Sequence, residues 1–243
     1  MKLTAAAQLA FAGARELSSD DACFVGIGIP SDAAVLAKHT HAPDMSLIFE
    51  SGVIGSDPLT PPLSTGSPSV AEGALMITDG LTVFGELQAG RIDVGVLSAA
   101  QVDQRGNLNS TAIGSYSSPK LRMVGSGGAH DIACLVGRVI ILMPHDPRRF
   151  VDNVDFVTSP GTDAEARKSL KLGGGPSALV TERARFSFET GLAQLSTVMP
   201  GYSEEDALDG ISWPVERSEN FKVLEAFSDT DLSVARQRLT HLF

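Results

Sequence analysis

The sequence is poor in cysteine, in positive charge and in long hydrophobic runs. Cys23 and Cys134 are its 2 cysteines in 243 residues; they lie far apart, and neither has a C-x-x-C or His-x-x-Cys companion. No disulfide framework or structural zinc site can be built from them, and a reducing, cytoplasmic location is expected. Nineteen Lys and Arg against 29 Asp and Glu give a formal net charge of −10. A field of that sign repels phosphate backbones and anionic lipid surfaces, which argues against nucleic-acid and membrane partners. Residues 139–143 are among the longest apolar runs, far short of the roughly 18–20 residues of a membrane span. The opening MKLTAAAQLAFAGARELSSDD is interrupted by Gln8 and closed by Arg15 and Glu16, unlike the continuous apolar core of a signal peptide. A G-x-S-x-G elbow, a P-loop and internal repeats are also missing. What remains is an ordinary globular composition, 43% hydrophobic and 20% charged with mean hydropathy +0.09. It suffices for one large core, and no linker divides residues 1–243, so one domain is expected.

Helix and strand signals alternate from the start. Thr4 caps a helical spacing that runs through Leu9, Ala12, Gly13, Glu16 and Leu17 and ends at Ser18 to Asp21. Residues 22–25 read as a short buried strand, 32–39 as a helix and 46–49 as a second strand. This alternation predicts an α/β fold with an open, mostly parallel sheet flanked by helices. Residues 55–68 hold 4 prolines, too many and over too long a stretch for a simple turn, which predicts an ordered excursion at the edge of a site. Residues 101–109 read as a turn-rich loop. Further strands are predicted at 92–97, 121–124, 139–143 and 154–157, and a helix at 129–135. Beyond these come a short helix between 161 and 176, a hairpin of 178–181 with 185–188 as the one antiparallel piece, and a terminal helix from Asp229.

Three clusters begin where a strand is predicted to stop: at Gly26, at Glu50 and at Gly125. Open parallel sheets bind ligands at the carboxyl ends of their strands. Gly26-x-Gly28 lacks the third glycine of a dinucleotide fingerprint, since Ser31 stands there, while Pro30 suits the first turn of a helix. The Gly125-Ser126-Gly127-Gly128 loop either aims backbone N–H groups at an anion or is a tight turn that needs glycine for positive φ. Glu50 ends the apolar run 47–49 with only serine and glycine after it. It is either a partly desolvated nucleophile reachable over Gly52 or an ordinary cap or surface ion pair. His39, His41, His130, His145 and His241 do not converge on a metal-ligand spacing, so no metal site is expected. Arg148-Arg149 beside Asp146, and Lys120 with Arg122, are basic pairs that form solvated or salt-bridged faces, or hold a phosphate or a substrate carboxylate.

Taken in order, Gly26-Ile-Gly28-Ile-Pro30, Glu50-Ser51-Gly52, Gln101-Val-Asp-x-x-Gly106-Asn107 and Gly125-Ser-Gly127-Gly128-Ala129-His130-Asp131 resemble the B (β) subunit of class I coenzyme A transferases. The Glu-Ser-Gly form, with Asn109-Ser110-Thr111, Arg148-Arg149-Phe150 and Val-Thr-Ser-Pro-Gly at 157–161, is similar to the glutaconate CoA-transferase branch. The succinyl-CoA and 3-oxoadipate branches show Ser-Glu-Asn-Gly at the nucleophile. The resemblance covers 22–176 and weakens beyond it, where Thr181 to Arg185 replace the family's Asp-x-Gly turn. It implies a CoA-transferase-like, Rossmann-related fold with Glu50 as the nucleophile, working through an acyl-glutamyl anhydride and a glutamyl-CoA thioester. Coenzyme A is then a substrate, with no tightly bound cofactor, no metal and no ATP. Gly26, Gly28, Gly127, Gly128 and Gln101 become oxyanion donors or CoA contacts. It further implies a homologous A (α) subunit as partner, in a heterotetramer or larger assembly with the site between the two, acting on a short carboxylic or dicarboxylic acid that the sequence does not name. Two other readings stay open. One is a relative that hydrolyses, decarboxylates or ring-opens an acyl-CoA, against which the retention of Glu50 speaks. The other is a non-catalytic sugar-phosphate sensor or regulatory module.

Overall fold

The computed structural model describes residues 3–243. In chain order the elements are α1 (Ala5–Ala14), β1 (Ala22–Val25), α2 (Ile29–Lys38), β2 (Ser46–Phe49), β3 (Val53–Ser56), β4 (Met76–Ile77), α3 (Gly80–Gln88), β5 (Val94–Leu97), β6 (Gln101–Val102), β7 (Leu108–Asn109), β8 (Ala112–Ile113), β9 (Leu121–Arg122), α4 (Ala129–Leu135), β10 (Arg138–Leu142), α5 (Ala164–Ser169), β11 (Pro176–Val180), β12 (Ala184–Ser187), β13 (Gln194–Val198), α6 (Glu204–Leu208), β14 (Arg217–Val223) and α7 (Asp229–Arg238). Ten strands form one sheet in the order β14-β13-β12-β11-β10-β5-β1-β2-β3-β4. Only β12 and β3 run against the others, so the sheet is mixed but mostly parallel, as the alternation predicted. From β1 the chain steps outward to β2, then returns to place β5 on the other side of β1. That reversal opens a crevice beyond the carboxyl ends of β1 and β5, the place where such sheets bind ligands.

The strands read as continuous apolar runs because both faces of the sheet are covered. With a side-chain period of two, Cys23, Val25, Leu47, Phe49, Val94 and Val96 pack against α1 and α2, whereas Phe24, Ile48 and Leu97 join α3 and α4 on the other face. Glycine sets how closely the helices approach. At Gly13 a Cβ would stand 2.7 Å from Leu142 Cδ1 and 3.1 Å from Ala33 Cβ, and at Gly95 a Cβ would collide with Ile132 of α4. Thr4 caps α1 as predicted, its side chain accepting from the Ala7 N–H. None of the described helices is long and apolar enough to cross a membrane.

Several expectations are corrected. Residues 121–124 contribute only β9, which pairs with β8 in a separate ribbon and joins no strand of the main sheet. Residues 154–157 form no strand; Asp155 instead accepts from the Gly114 N–H and from Gln101, and Val157 is half exposed. The 178–188 hairpin exists as β11–β12, but β12–β13, β2–β3 and β3–β4 are antiparallel as well. The 55–68 excursion is ordered as expected: Asp57 N–H donates to the Glu72 carbonyl, Leu59 N–H to its carboxylate, and Ser64 N–H to Ser67 Oγ.

His145, just beyond β10, ties the sheet to the segment after α6. It is buried, its Nε2 lies 2.8 Å from the Asp209 carbonyl and its Nδ1 3.2 Å from the Thr181 hydroxyl. The carbonyl can only accept, so Nε2 carries the proton and neutral Nδ1 accepts from Thr181. Burial holds the His145 pKa below the usual imidazole value of 6.5, with the Asp209 carbonyl working the other way. The unfolded chain therefore binds this proton more readily than the folded one. The contribution is complete above about pH 6.5 and is lost as pH falls through the folded value. Urea unfolding at several pH values should show stability declining below about pH 6.5, and His145→Gln should flatten that decline; parallel profiles for the two proteins would contradict the assignment.

Candidate active site

Glu50 follows the last residue of β2 and sits in a tight turn, closed by the Gly52 N–H donating to the Phe49 carbonyl at 3.0 Å. Gly52 has φ +105°, and a Cβ there would stand 2.5 Å from the Thr78 carbonyl oxygen, so the position admits no side chain. The Gly52 carbonyl in turn accepts from the Thr78 N–H at 2.8 Å. The turn is thus clamped between the end of β2 and the start of α3. The Glu50 side chain is half-buried and enters no ion pair among the described residues, which removes the surface-pair alternative. It faces a cavity of about 390 Å³ whose walls include Phe24, Gly26, Ile27, Leu97 and Ile132, with Leu63, Ser64 and Thr65 of the proline-rich excursion at the rim.

Of the two glycine loops, the first lines this cavity through Gly26 and Ile27, and the second approaches the Glu50 carboxylate at Gly128. Gly26 follows β1 directly, and its carbonyl accepts from the Ser31 hydroxyl at 2.7 Å. Gly28 caps α2 with φ +83° and open space where a Cβ would be, so glycine serves its conformation rather than its packing. Behind it, buried Asp32 in the first turn of α2 pairs with His241 at 3.1 Å; burial raises the Asp32 pKa and His241 draws it back down. The second loop, contrary to expectation, does not continue a strand of the main sheet. It is pinned to Ser110, whose carbonyl accepts from the Gly125 N–H at 3.0 Å and whose hydroxyl donates to the Gly125 carbonyl at 2.9 Å. From there Gly127, at φ +49°, leads to Gly128, the cap of α4. A Cβ on Gly128 would stand 3.2 Å from Glu50 Oε2 and 2.8 Å from Phe84 Cζ. The N–H groups of Gly28, Gly127 and Gly128 donate to no acceptor among the described residues.

Gln101 lies outside the cavity wall. Its amide donates to Asp155 at 2.9 Å and accepts from Asn109 Nδ2 at 2.6 Å and from the Asp155 N–H at 3.1 Å, so it braces the segment that pins Gly125. Asn109 is fully buried and also donates to the Ala112 carbonyl. The predicted basic pairs stand apart from the cavity too. Arg148 pairs with Asp146 at 2.6 Å and lowers its pKa to about 2, Arg149 donates to the Ala99 carbonyl, and Arg122 stacks over the Tyr116 ring. His130 is held by the Thr158 carbonyl at 2.9 Å. Sequence reasoning missed Phe84, which packs against the Phe24 ring and whose Cζ would stand 2.8 Å from a Cβ on Gly128. Its signal was only the Val83, Phe84, Leu87 spacing after Asp79, whose side chain caps α3.

Residues 7–205 match the family described as coenzyme A transferase. The chain is 41% identical over 231 residues to the B subunit of the 3-oxoadipate CoA-transferase of Pseudomonas knackmussii, covering 93% of this chain and 89% of the relative. It is 33% identical over 243 residues to the B subunit of the glutaconate CoA-transferase of Acidaminococcus fermentans, covering 93% and 88%. The crystal structure of that enzyme superposes with a TM-score of 0.87 at 32% identity, over 96% of this chain and 93% of the other. The decarboxylase AibA/AibB superposes with a TM-score of 0.85 over 99% and 96%, but at 22% identity it shows a shared fold only. The glutaconate-type resemblance is borne out. The higher identity to an enzyme named for 3-oxoadipate means that the Glu-Ser-Gly form does not set the chain apart from 3-oxoadipate enzymes in the way the motifs suggested. The chain belongs to the coenzyme A transferase family, class I, and is similar there to chains of the B (β) type.

Proposed function

We propose that this chain is the catalytic subunit of a heteromeric CoA-transferase that exchanges CoA between a short acyl-CoA and a dicarboxylic acid, with Glu50 as the group that carries CoA. The observation that carries this reading is the Glu50 carboxylate itself: free of any ion pair among the described residues, half-buried in the wall of an apolar cavity beyond β1 and β5, and with its Oε2 3.2 Å from where a Cβ on Gly128, the cap of α4, would stand. A carboxylate so placed is less solvated than one in water and open to an electrophile. One Glu50 oxygen adds to the thioester carbonyl of the donor, and collapse expels CoA thiolate and leaves an acyl-glutamyl anhydride. The thiolate then adds to the glutamyl carbonyl, releasing the donor acid and forming the glutamyl-CoA thioester. The acceptor carboxylate reverses both steps, so the thioester energy is kept. Each addition places negative charge on a carbonyl oxygen, and the free N–H groups of Gly127, Gly128 and Gly28 are the donors at hand. A single preorganised donor of this kind is worth about 10² to 10³ in rate.

The relatives named for 3-oxoadipate and glutaconate support a dicarboxylic substrate. An unpaired carboxylate in an apolar pocket would repel a sugar phosphate, which argues against the sensor alternative. The cavity wall includes no Lys, Arg or His among the described residues, so a CoA phosphate finds no counter-charge here. A partner supplies it. Beside the Glu50 turn, edge strand β4 exposes Met76 and Ile77, with Leu75 and Leu81 equally exposed on either side, and an uncovered apolar edge of this kind fits a subunit interface. The homologous A subunit is the partner we assign to it.

Co-expressed with an A-subunit homologue, the chain should elute as a heteromer with equal copies of each, and transfer activity should appear in that fraction alone. Glu50→Gln should abolish transfer and Glu50→Asp, which withdraws the carboxylate by one methylene, should cost about 10²-fold. Full activity from the chain alone, or an active Glu50→Gln that stays Gln by mass, would refute the reading. Gly128→Ala tests the contact with α4: its Cβ must displace Phe84 or the carboxylate, so turnover should fall about 10-fold or more while the melting temperature shifts by only a few degrees. Early melting with normal turnover of the folded fraction would make the glycine merely structural.

A further inference from the structure

A second cavity, of about 420 Å³, lies on the α1 face of the sheet, between the last turn of α1 and strands β12 to β14. Five strand spacings separate β12 from β2, roughly 24 Å at about 4.8 Å per strand, so this cavity is not part of the Glu50 site. Register places Arg185, Thr197 and Lys222 side by side across three neighbouring strands. All three line the cavity, together with Arg15 and Glu16 from α1 and with Ser218.

The donors here outnumber the acceptors. Arg185 gives Nε to Glu16 at 2.7 Å and Nη1 to Ser196 at 2.9 Å, while its Nη2 has no acceptor among the described residues. Thr197 is buried, at 4% exposure, and lines the cavity. Ser218 Oγ is buried without a hydrogen-bond partner among the described residues. Among the described residues neither Lys222 nor Arg15 meets a carboxylate, and Arg15 lies over the Phe227 ring at 5.2 Å. Glu16 is already taken by Arg185, leaving Glu189 as the one uncommitted carboxylate of the wall. Three cations against two anions make this wall positive in a chain of net charge −10. Buried polar groups are normally satisfied, and an unmet cluster of cationic and hydroxyl donors is satisfied best by an oxyanion, whose charge-assisted hydrogen bonds are the strong ones.

We infer that this cavity binds a small oxyanion-bearing molecule, a carboxylate or a phosphate, at a site separate from Glu50. The test is calorimetric titration of the purified chain with inorganic phosphate and, separately, with glutarate, at fixed ionic strength. Saturable binding of one or the other at one per chain is expected, and the arm that binds identifies the headgroup. Lys222→Met and Thr197→Val should each weaken binding about 10-fold, whereas Glu50→Ala should leave it unchanged. Arg15→Gln, at the exposed end of α1, serves if either strand variant fails to fold, and should weaken binding likewise. No saturable binding of either anion up to about 10 mM would overturn the inference. So would unaltered binding in the cavity variants, or loss of binding in Glu50→Ala, which would put the ligand in the catalytic cavity.

Discussion

Glu50 is held against backbone and not against a counter-charge, and the architecture around it follows from that. Two chain segments, 78–80 and the start of α4, come close enough to the turn that a Cβ on Gly52, Gly80 or Gly128 would lie within 2.5 to 3.2 Å of a neighbouring atom. Close approach of backbone fixes the carboxylate without neutralising it, because glycine adds neither charge nor bulk. The same device works further out, where Gly95 lets α4 settle onto β5 and so delivers Gly128 to the carboxylate. A single helix position therefore depends on two glycines far apart in sequence, one in the sheet and one at the helix cap.

Charge is distributed to match. Acidic side chains outnumber basic ones, yet the wall of the Glu50 cavity includes no cation among the described residues, and several basic residues are committed elsewhere: Arg148 to Asp146, Arg149 to a carbonyl, Arg122 to an aromatic ring. Uncommitted donors gather instead at the far edge of the sheet, around Lys222 and Thr197. The exposed leucines, Met76 and Ile77 beside the Glu50 turn fit the half-site proposed above, in which this chain would bring the nucleophile and the oxyanion donors and a partner the phosphate cradle.

What the sequence disclosed depended on how local its signals were. Residues 22–25 and 46–49 are short apolar runs with turn residues at both ends, and they are β1 and β2. Residues 129–135 follow a glycine cap and are α4. By contrast α3, GLTVFGELQ, carries two glycines and β-branched residues that weaken its helical signal, and it forms because Asp79 caps it and Val83 and Leu87 are buried under the sheet. Strand β14 exposes five of its seven residues and exists through pairing with β13, which no local pattern announces. Among the site residues, Glu50 and the glycines were legible as strand-end motifs. Gln101 was legible only through the family resemblance, and its commitment to Asn109 and Asp155 is a long-range contact that spacing does not encode. Phe84 offered only its helical spacing with Val83 and Leu87, and its approach to Gly128 is long-range in the same way.

The most direct test of the account is peptide mass mapping of the assembled enzyme after incubation with an acyl-CoA and rapid quenching. The peptide containing Glu50 should gain the mass of CoA less water, and the gain should disappear on adding an acceptor dicarboxylate. A CoA adduct on any other peptide, or none under conditions of active transfer, would contradict it.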